Sequence, residues 1–356
     1  MKKIKRVAYL APKGVGGIAS FSESVVRNWN IPNIKVRFYR IPRNNLVGWV
    51  QYPFTLSSFV ANLFFRRISI VHANIASKGS PIRKFPFVAI AKAFGIPTVI
   101  QIHSGKLHLD LQRDDANPIW LFLTCKLLSW AQGYLVLTDE QMEFFKFNFA
   151  LGFKQVIYLP NHVEASQDQP TGAFDSRTVD LVFVGRISNE KGATVLLDAL
   201  ASIEDPRLTV VFVGEYLVGD YPKKLEEGLS NHRIKFTGVV PRHEALTIMR
   251  DSKALVLPSY SENFPMVVLE AFAQGASVIA SNVGSIPKLV LDGVTGSIFT
   301  AGNSQELVNA IFRTFHDPYH LEKMASNGKK LILDSYSMEV YPLKLINSYY
   351  EIIGQE

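Results

Sequence analysis

Short runs of β-branched and aromatic residues alternate along this chain with longer segments whose apolar residues recur at helical spacing. Residues Ile4 to Leu10 read as a strand, a glycine-rich turn follows at Gly14-Val15-Gly16-Gly17-Ile18, and a helical pattern runs from about Ser20 through Trp29. Further strand candidates at Ile68 to Ala73, Thr98 to Ile102 and Tyr134 to Leu137 are separated by helix-length segments. Alternation of this kind predicts a parallel α/β sheet. The pattern stops between Val163 and Arg177, a polar stretch broken by Pro170 and Gly172, which reads as a linker. A second α/β series then begins, with strands expected at Val179 to Val184, Leu208 to Val213, Ile234 to Phe236, Ala254 to Leu257 and Ser277 to Ala280.

A chain of 356 residues exceeds what one hydrophobic core usually holds. The expected division is therefore residues 1–163, residues 164–340, and a terminal helix over 341–356 that either caps the second domain or packs back on the first. Doubly wound sheets present ligands to the carboxyl ends of their strands, which puts the expected site in the crevice between the domains.

Composition narrows the class. Hydrophobic residues make up 47% and charged residues 19%, with no long apolar run free of charge, so the chain reads as globular rather than disordered or membrane-spanning. The basic start, Lys2-Lys3-Ile4-Lys5-Arg6, leads into an apolar run that Pro12 cuts too short for a signal-peptide core. A single cysteine, Cys125, forms no internal disulfide, and no cysteine–histidine cluster has zinc spacing. A reducing cytoplasm is the expected setting, with Cys125 as buried core filler. The net charge of +7 hides an asymmetry: residues 1–160 carry 21 Lys+Arg against 7 Asp+Glu, and residues 161–356 carry 17 against 24. The basic half suggests an anionic partner, such as a phospholipid surface, a phosphorylated acceptor or nucleic acid, or else a solvated basic surface.

Two segments carry candidate chemistry. In Val182-Phe183-Val184-Gly185-Arg186-Ile187-Ser188-Asn189-Glu190-Lys191-Gly192 a strand ends at Gly185 and a helix starts soon after Lys191. Arg186 can fork two hydrogen bonds onto a phosphate, Lys191 adds a point charge and the helix start adds free N–H groups, an arrangement suited to a diphosphate. The plain alternative is salt bridging to Glu190 or Asp198. In Ser259-Tyr260-Ser261-Glu262-Asn263-Phe264-Pro265-Met266-Val267-Val268-Leu269-Glu270, Pro265 fits the first turn of a helix ending near Gly275, so Glu262 to Phe264 form a loop at its start. Glu270 falls inside an apolar helix, where a carboxylate needs partners such as sugar hydroxyls.

Arg186 and Lys191, followed by Glu262-x7-Glu270 and Gly284-Ser285, resemble the donor half of the retaining glycosyltransferase family 4, of GT-B fold, over roughly Val182 to Phe299. The resemblance implies two Rossmann-like domains and assigns Arg186 and Lys191 to the donor diphosphate, Glu262 to the donor sugar and Glu270 to the nucleotide ribose. It also implies that Gly185 and the backbone of Asn263, Phe264, Pro265, Met266 and Val267 support sugar and phosphate. Asn263 stands where many members have glycine. In the first half, Gly16 and Gly17 match the family's glycine turn, which the resemblance directs at the donor diphosphate, although such a turn after a strand is also a common tight βα connection. His103, in Gln101-Ile102-His103-Ser104-Gly105, resembles the family's histidine near the reacting sugar, and Asn161 falls in the segment at the hinge.

No Asp-x-Asp occurs in the sequence, so the donor phosphates are expected to be neutralised by side chains and a helix dipole, with no metal and no cofactor beyond a UDP- or GDP-sugar co-substrate. The expected acceptor is a glycan or a polyprenyl-diphosphate-linked glycan, of the kind used to build bacterial lipopolysaccharide or capsule. Mixed aromatic and basic stretches at Tyr52 to Arg67 and Arg83 to Phe87 suggest peripheral contact with an anionic inner membrane face, unless Phe59, Leu63 and Phe64 are simply the core face of a helix. A sugar-nucleotide epimerase of the same build is a rival. A nucleic-acid binder is another, but no DNA- or RNA-binding motif is present.

Overall fold

The structure is a computed structural model that describes residues 4–13, 17–42, 46–77, 79–113, 115–149, 154–165, 174–205, 207–217 and 233–354. Gly16, part of the expected glycine turn, lies outside the described residues, as does most of the polar linker. The chain divides into two compact units: Met1–Asn161 with Met338–Glu356, and His162–Ser337.

In the first unit six parallel strands stand in the order β2-β1-β3-β4-β5-β6. They are β1 (Arg6–Pro12), β2 (Lys35–Ile41), β3 (Ile70–Ile75), β4 (Thr98–Ile102), β5 (Gly133–Val136) and β6 (Gln155–Tyr158). β3, β4 and β5 are buried along their whole length, as parallel strands covered on both faces must be. Three covering helices bear on function: α1 (Gly17–Arg27), α2 (Leu46–Phe64) and α3 (Gly79–Ala93). On α2, Phe59 and Leu63 enter the core and Phe59 meets Phe87 of α3, whereas Phe64 is 72% exposed, so the expected core face stops one residue short. The strands at Lys35–Ile41 and Gln155–Tyr158 were not expected from the sequence, because neither is a continuous apolar run.

The chain's last helix, Tyr341–Ile353, belongs to this first unit. The Tyr341 hydroxyl donates to Gln101 Oε1 at 3.2 Å, and the Tyr341 ring meets Phe21 edge-on at 5.2 Å. A Cβ on Gly133 would stand 2.8 Å from Ile352, so the missing side chain of that glycine is what lets the helix approach β5. Cys125, on the helix Pro118–Ser129, is half-buried rather than sealed in the core.

The second unit repeats the plan with the order β12-β11-β10-β7-β8-β9, again all parallel. Its strands are β7 (Val179–Val184), β8 (Thr209–Val213), β9 (Arg233–Phe236), β10 (Ser252–Leu257), β11 (Ser277–Ser281) and β12 (Gly296–Phe299). The last of these was not expected from the sequence. Phe183 and Phe212 from adjacent strands pack with Leu196 and Leu200 of the helix Ala193–Ala201. Arg177 anchors the start of the unit: 9% exposed, it donates to the carbonyls of Ser252 and Gln274.

In each sheet the strand order reverses once, between β1 and β3 in the first unit and between β7 and β10 in the second. At such a point the loops leaving neighbouring strands turn away to opposite faces and leave a crevice at the strand ends.

Candidate functional site

The two candidate segments of the second unit leave from the strands that flank its switch point. β7 runs into Gly185, whose φ of 151° suits a residue without Cβ, and then into Arg186 to Lys191. The helix Ala193–Ala201 begins at Gly192, with φ 70°; a Cβ there would stand 1.9 Å from the Pro258 carbonyl. That contact presses the two loops together, and the Tyr260 amide closes them further by donating to the Glu190 carbonyl at 3.1 Å.

Lys191 and Glu262, 71 residues apart in sequence, meet here: Nζ donates to Oε1 at 2.6 Å, with the side chains 25% and 10% exposed. Ser259 Oγ donates to the same carboxylate oxygen at 2.8 Å. Arg186 comes only to 3.9 Å from Glu190 and remains largely exposed. An exposed pair at that distance binds weakly, so the planar fork of Arg186 is little engaged by Glu190.

The Glu262 loop is held from beneath by the turn after β11. Gly284, φ 56°, lies so close that a Cβ would stand 1.8 Å from the Glu262 carbonyl. Ser285 donates to the Asn263 carbonyl from both its hydroxyl and its amide, the latter at 3.2 Å. Phe264 and Pro265 are buried, with the Phe264 ring centroid 6.0 Å from that of Tyr336. The helix Met266–Ala273 starts after Pro265, so Met266 and Val267 are its first residues and Glu270 lies one turn on.

Glu270 has a protein partner: Arg242 donates from Nη2 at 2.8 Å and from Nε at 3.0 Å, both to Oε1. Burial raises the Glu270 carboxyl above the usual range, and the Arg242 charge pulls it partly back. Sequence reading missed Arg242. The one available signal was its position at the start of the helix Arg242–Arg250, just beyond a strand end.

His103, Asn161 and Gly17 belong to the first unit. Gly17 opens α1. His103 follows β4, is 8% exposed, and places Nε2 2.6 Å from Asn74 Oδ1. The same oxygen stands 3.2 Å from His72 Nε2, and Asn74 donates to the Leu10 carbonyl at 3.1 Å. Burial, with help from the neighbouring His72 and Lys84, pushes the His103 ring down to about 3, so it is neutral near pH 7. Asn161 is buried, and its Oδ1 has no hydrogen-bond partner among the described residues.

Two Rossmann-like units, the second with switch-point loops that carry cations, a carboxylate and a helix start, make up the GT-B architecture. Residues 166–331 match the family described as glycosyl transferases group 1. The chain is 27% identical over 312 residues to the alpha-D-kanosaminyltransferase of Streptomyces kanamyceticus, covering 79% of this chain and 77% of that one. Its fold is similar to that of sucrose-phosphate synthase from Thermosynechococcus elongatus (TM-score 0.72, 18% identity, 99% of this chain and 100% of that one). Anabaena HepE, in complex with UDP, is similar in fold as well (TM-score 0.70, 19% identity, 97% and 99%). The chain is a glycosyltransferase whose second unit carries the glycosyl transferases group 1 match.

Proposed function

We propose that the protein transfers a hexose from a UDP- or GDP-sugar to a glycan or polyprenyl-diphosphate-linked glycan, with retention of the donor's anomeric configuration and without a metal ion. The observation that carries this reading is the Lys191–Glu262 pair at the switch point of the second unit, flanked by an exposed Arg186. In this reading Arg186 and Lys191 bind the donor diphosphate and stabilise its growing charge as the bond from the sugar's anomeric carbon to phosphate oxygen breaks. The acceptor hydroxyl forms the new bond at that carbon and gives its proton to the departing phosphate.

Glu262 has two tasks, since it both orients Lys191 and offers its second carboxylate oxygen to the donor sugar. The backbone of Asn263 to Val267, with Gly185, supports sugar and phosphates, and Glu270, steadied by Arg242, receives the ribose. His103, being neutral, acts by hydrogen bonding on a sugar hydroxyl or the acceptor rather than by carrying charge. We place the reaction in the cytoplasm, on the inner membrane face, in assembly of a bacterial surface polysaccharide. No helix among the described residues is long and apolar enough to cross a membrane, which fits a peripheral attachment.

A thermal-shift series with UDP-, GDP- and ADP-sugars and added chelator tests this, because a ligand bound by the folded state alone raises its stability. One nucleotide class should stabilise the protein, and Arg186→Ala, Lys191→Ala and Glu262→Ala should each weaken that effect. Absence of stabilisation by every donor at high concentration, or stabilisation only with a divalent metal, would sink the assignment. Release of nucleoside diphosphate that depends on an acceptor separates a transferase from an epimerase.

A further inference from the structure

Between Ser24 and Leu109 the chain contains no aspartate or glutamate but twelve lysines and arginines. The fold gathers part of that charge at the switch point of the first unit. A cavity of about 300 Å³ lies there, reached from the end of β1 by Pro12 and Lys13 and from the region after β3 by Ser77, Ser80 and Arg83. Gly17, at the start of α1, joins the lining.

Three features mark this cavity as a place for an anion. Two helices begin at it, α1 at Gly17 and α3 at Gly79, and helix starts present unpaired N–H groups. Among the described residues the Lys13 ammonium pairs only with the neutral Gln51, Nζ to Oε1 at 2.9 Å, and no carboxylate meets Lys13 or Arg83. Arg83 Nε is buried with no hydrogen-bond partner among the described residues, while its Nη1 lies over Gly79, 2.8 Å from where a Cβ would stand. Behind the cavity wall, Lys84, 1% exposed, donates to Ser80 Oγ at 2.8 Å. A buried donor left unpaired beside uncompensated cations is costly, and a bound anion removes that cost.

Arg83 also stands at the edge of a second, almost wholly apolar cleft of about 220 Å³, lined by Pro42, Trp49, Tyr52, Ile82 and Pro86. Trp49 is 67% exposed and Ile82 41%, so the mouth of this cleft is wet and greasy at once. Among the described residues, Arg83 is the one that lines both cavities. A ligand that satisfies both must carry its negative charge directly beside an apolar chain.

We propose that Lys13, Ser77, Ser80 and Arg83 hold the phosphate of an amphiphilic acceptor, and that its hydrocarbon chain leaves past Arg83 through the cleft at Trp49 and Pro86. This rests on the glycosyltransferase reading and narrows the acceptor to a lipid phosphate, with the chain held by the protein rather than only by a bilayer.

Decyl phosphate, below its micelle-forming concentration, is the probe, titrated into the full chain with and without saturating UDP. Binding is followed by tryptophan fluorescence and by calorimetry. The unaltered protein should bind decyl phosphate at least about tenfold more tightly than either inorganic phosphate or the uncharged decyl maltoside. Arg83→Gln should abolish the preference over decyl maltoside, Arg83→Lys should keep part of it, and Trp49→Ser should abolish the preference over inorganic phosphate. Unchanged melting of each variant would exclude misfolding as the cause. Equal binding of charged and uncharged probes, or indifference to both substitutions, overturns the subsite. Displacement of decyl phosphate by UDP overturns it too, because the cavity would then belong to the donor diphosphate. The transferase reading fails separately, on the response of the unaltered protein to sugar nucleotides.

Discussion

Replacing Gly284 by alanine tests how the Glu262 loop is positioned, and Gly293→Ala supplies an internal control. Both glycines sit at left-handed φ in the second unit, 56° and 72°, so both substitutions carry the same backbone penalty of about 1 kcal/mol. They differ in what the new methyl group meets. At Gly293 no atom lies within 4 Å, whereas at Gly284 the Glu262 carbonyl would be 1.8 Å away, well inside the 3.0 Å that real Cβ contacts respect. The carbonyl or the turn must retreat by about 1 Å, and close-packed interiors resist such a shift. Gly293→Ala should lower the melting temperature by about 2–4 °C and leave donor turnover intact. Gly284→Ala should cost about 3 kcal/mol and, because a reacting group misplaced by about 1 Å loses on the order of 100-fold in rate, cut acceptor-dependent nucleoside diphosphate release by that factor. Thermal unfolding and a coupled release assay on the two variants, side by side, are sufficient. If Gly284→Ala behaves like Gly293→Ala in both assays, the glycine does not position Glu262 and the reasoning is wrong.

Arg242→Met should strand the Glu270 carboxylate, costing about 3 kcal/mol near pH 8. Because the folded carboxyl is already raised, its contribution to stability is full at low pH and lost as pH rises through the folded value, so the substitution should cost less at pH 5; urea titrations at both pH values that show an equal or larger cost at pH 5 would contradict this. Burial lowers Lys84 to about 7 from 10.5, so its penalty is full below pH 7 and fades as pH climbs toward 10.5. Lys84→Met should therefore raise stability at pH 7 by about 1–3 kcal/mol and remove the rise in stability from pH 7 to 10, which chemical denaturation across that range would detect. Burial holds His72 down to about 4 and His103 to about 3, whereas an unfolded histidine takes up its proton near 6.5. Stability from these neutral rings is complete above pH 6.5 and lost as pH falls below it, so His72→Gln should flatten the acid side of the profile; an unchanged slope between pH 6.5 and 4 would count against the assignment.

Much of this protein follows from local pattern. The apolar strands at Val179–Val184 and Thr98–Ile102 and the helix Tyr341–Ile353 could be read directly, because burial on both faces of a sheet or along one helix stripe imposes its period on the sequence. The α/β alternation, and hence two doubly wound sheets, came with them. Lys35–Ile41 and Gly296–Phe299 escaped, since one strand alternates polar and apolar residues at a sheet edge and the other opens with Gly296 and Ser297, leaving only two apolar residues in a row. Tertiary structure alone brought Lys191 to Glu262 and Arg242 to Glu270, because side chains 71 and 28 residues apart meet only once the strands carrying their loops are in register. It also sent the last helix to the first unit, through Tyr341 on Gln101, and it buried Lys84 in a segment that reads as an exposed basic run. The sequence carries the periods of its elements and the chemistry of its side chains; which elements become neighbours depends on how the apolar faces close on one another, and that is settled by contacts no local window contains.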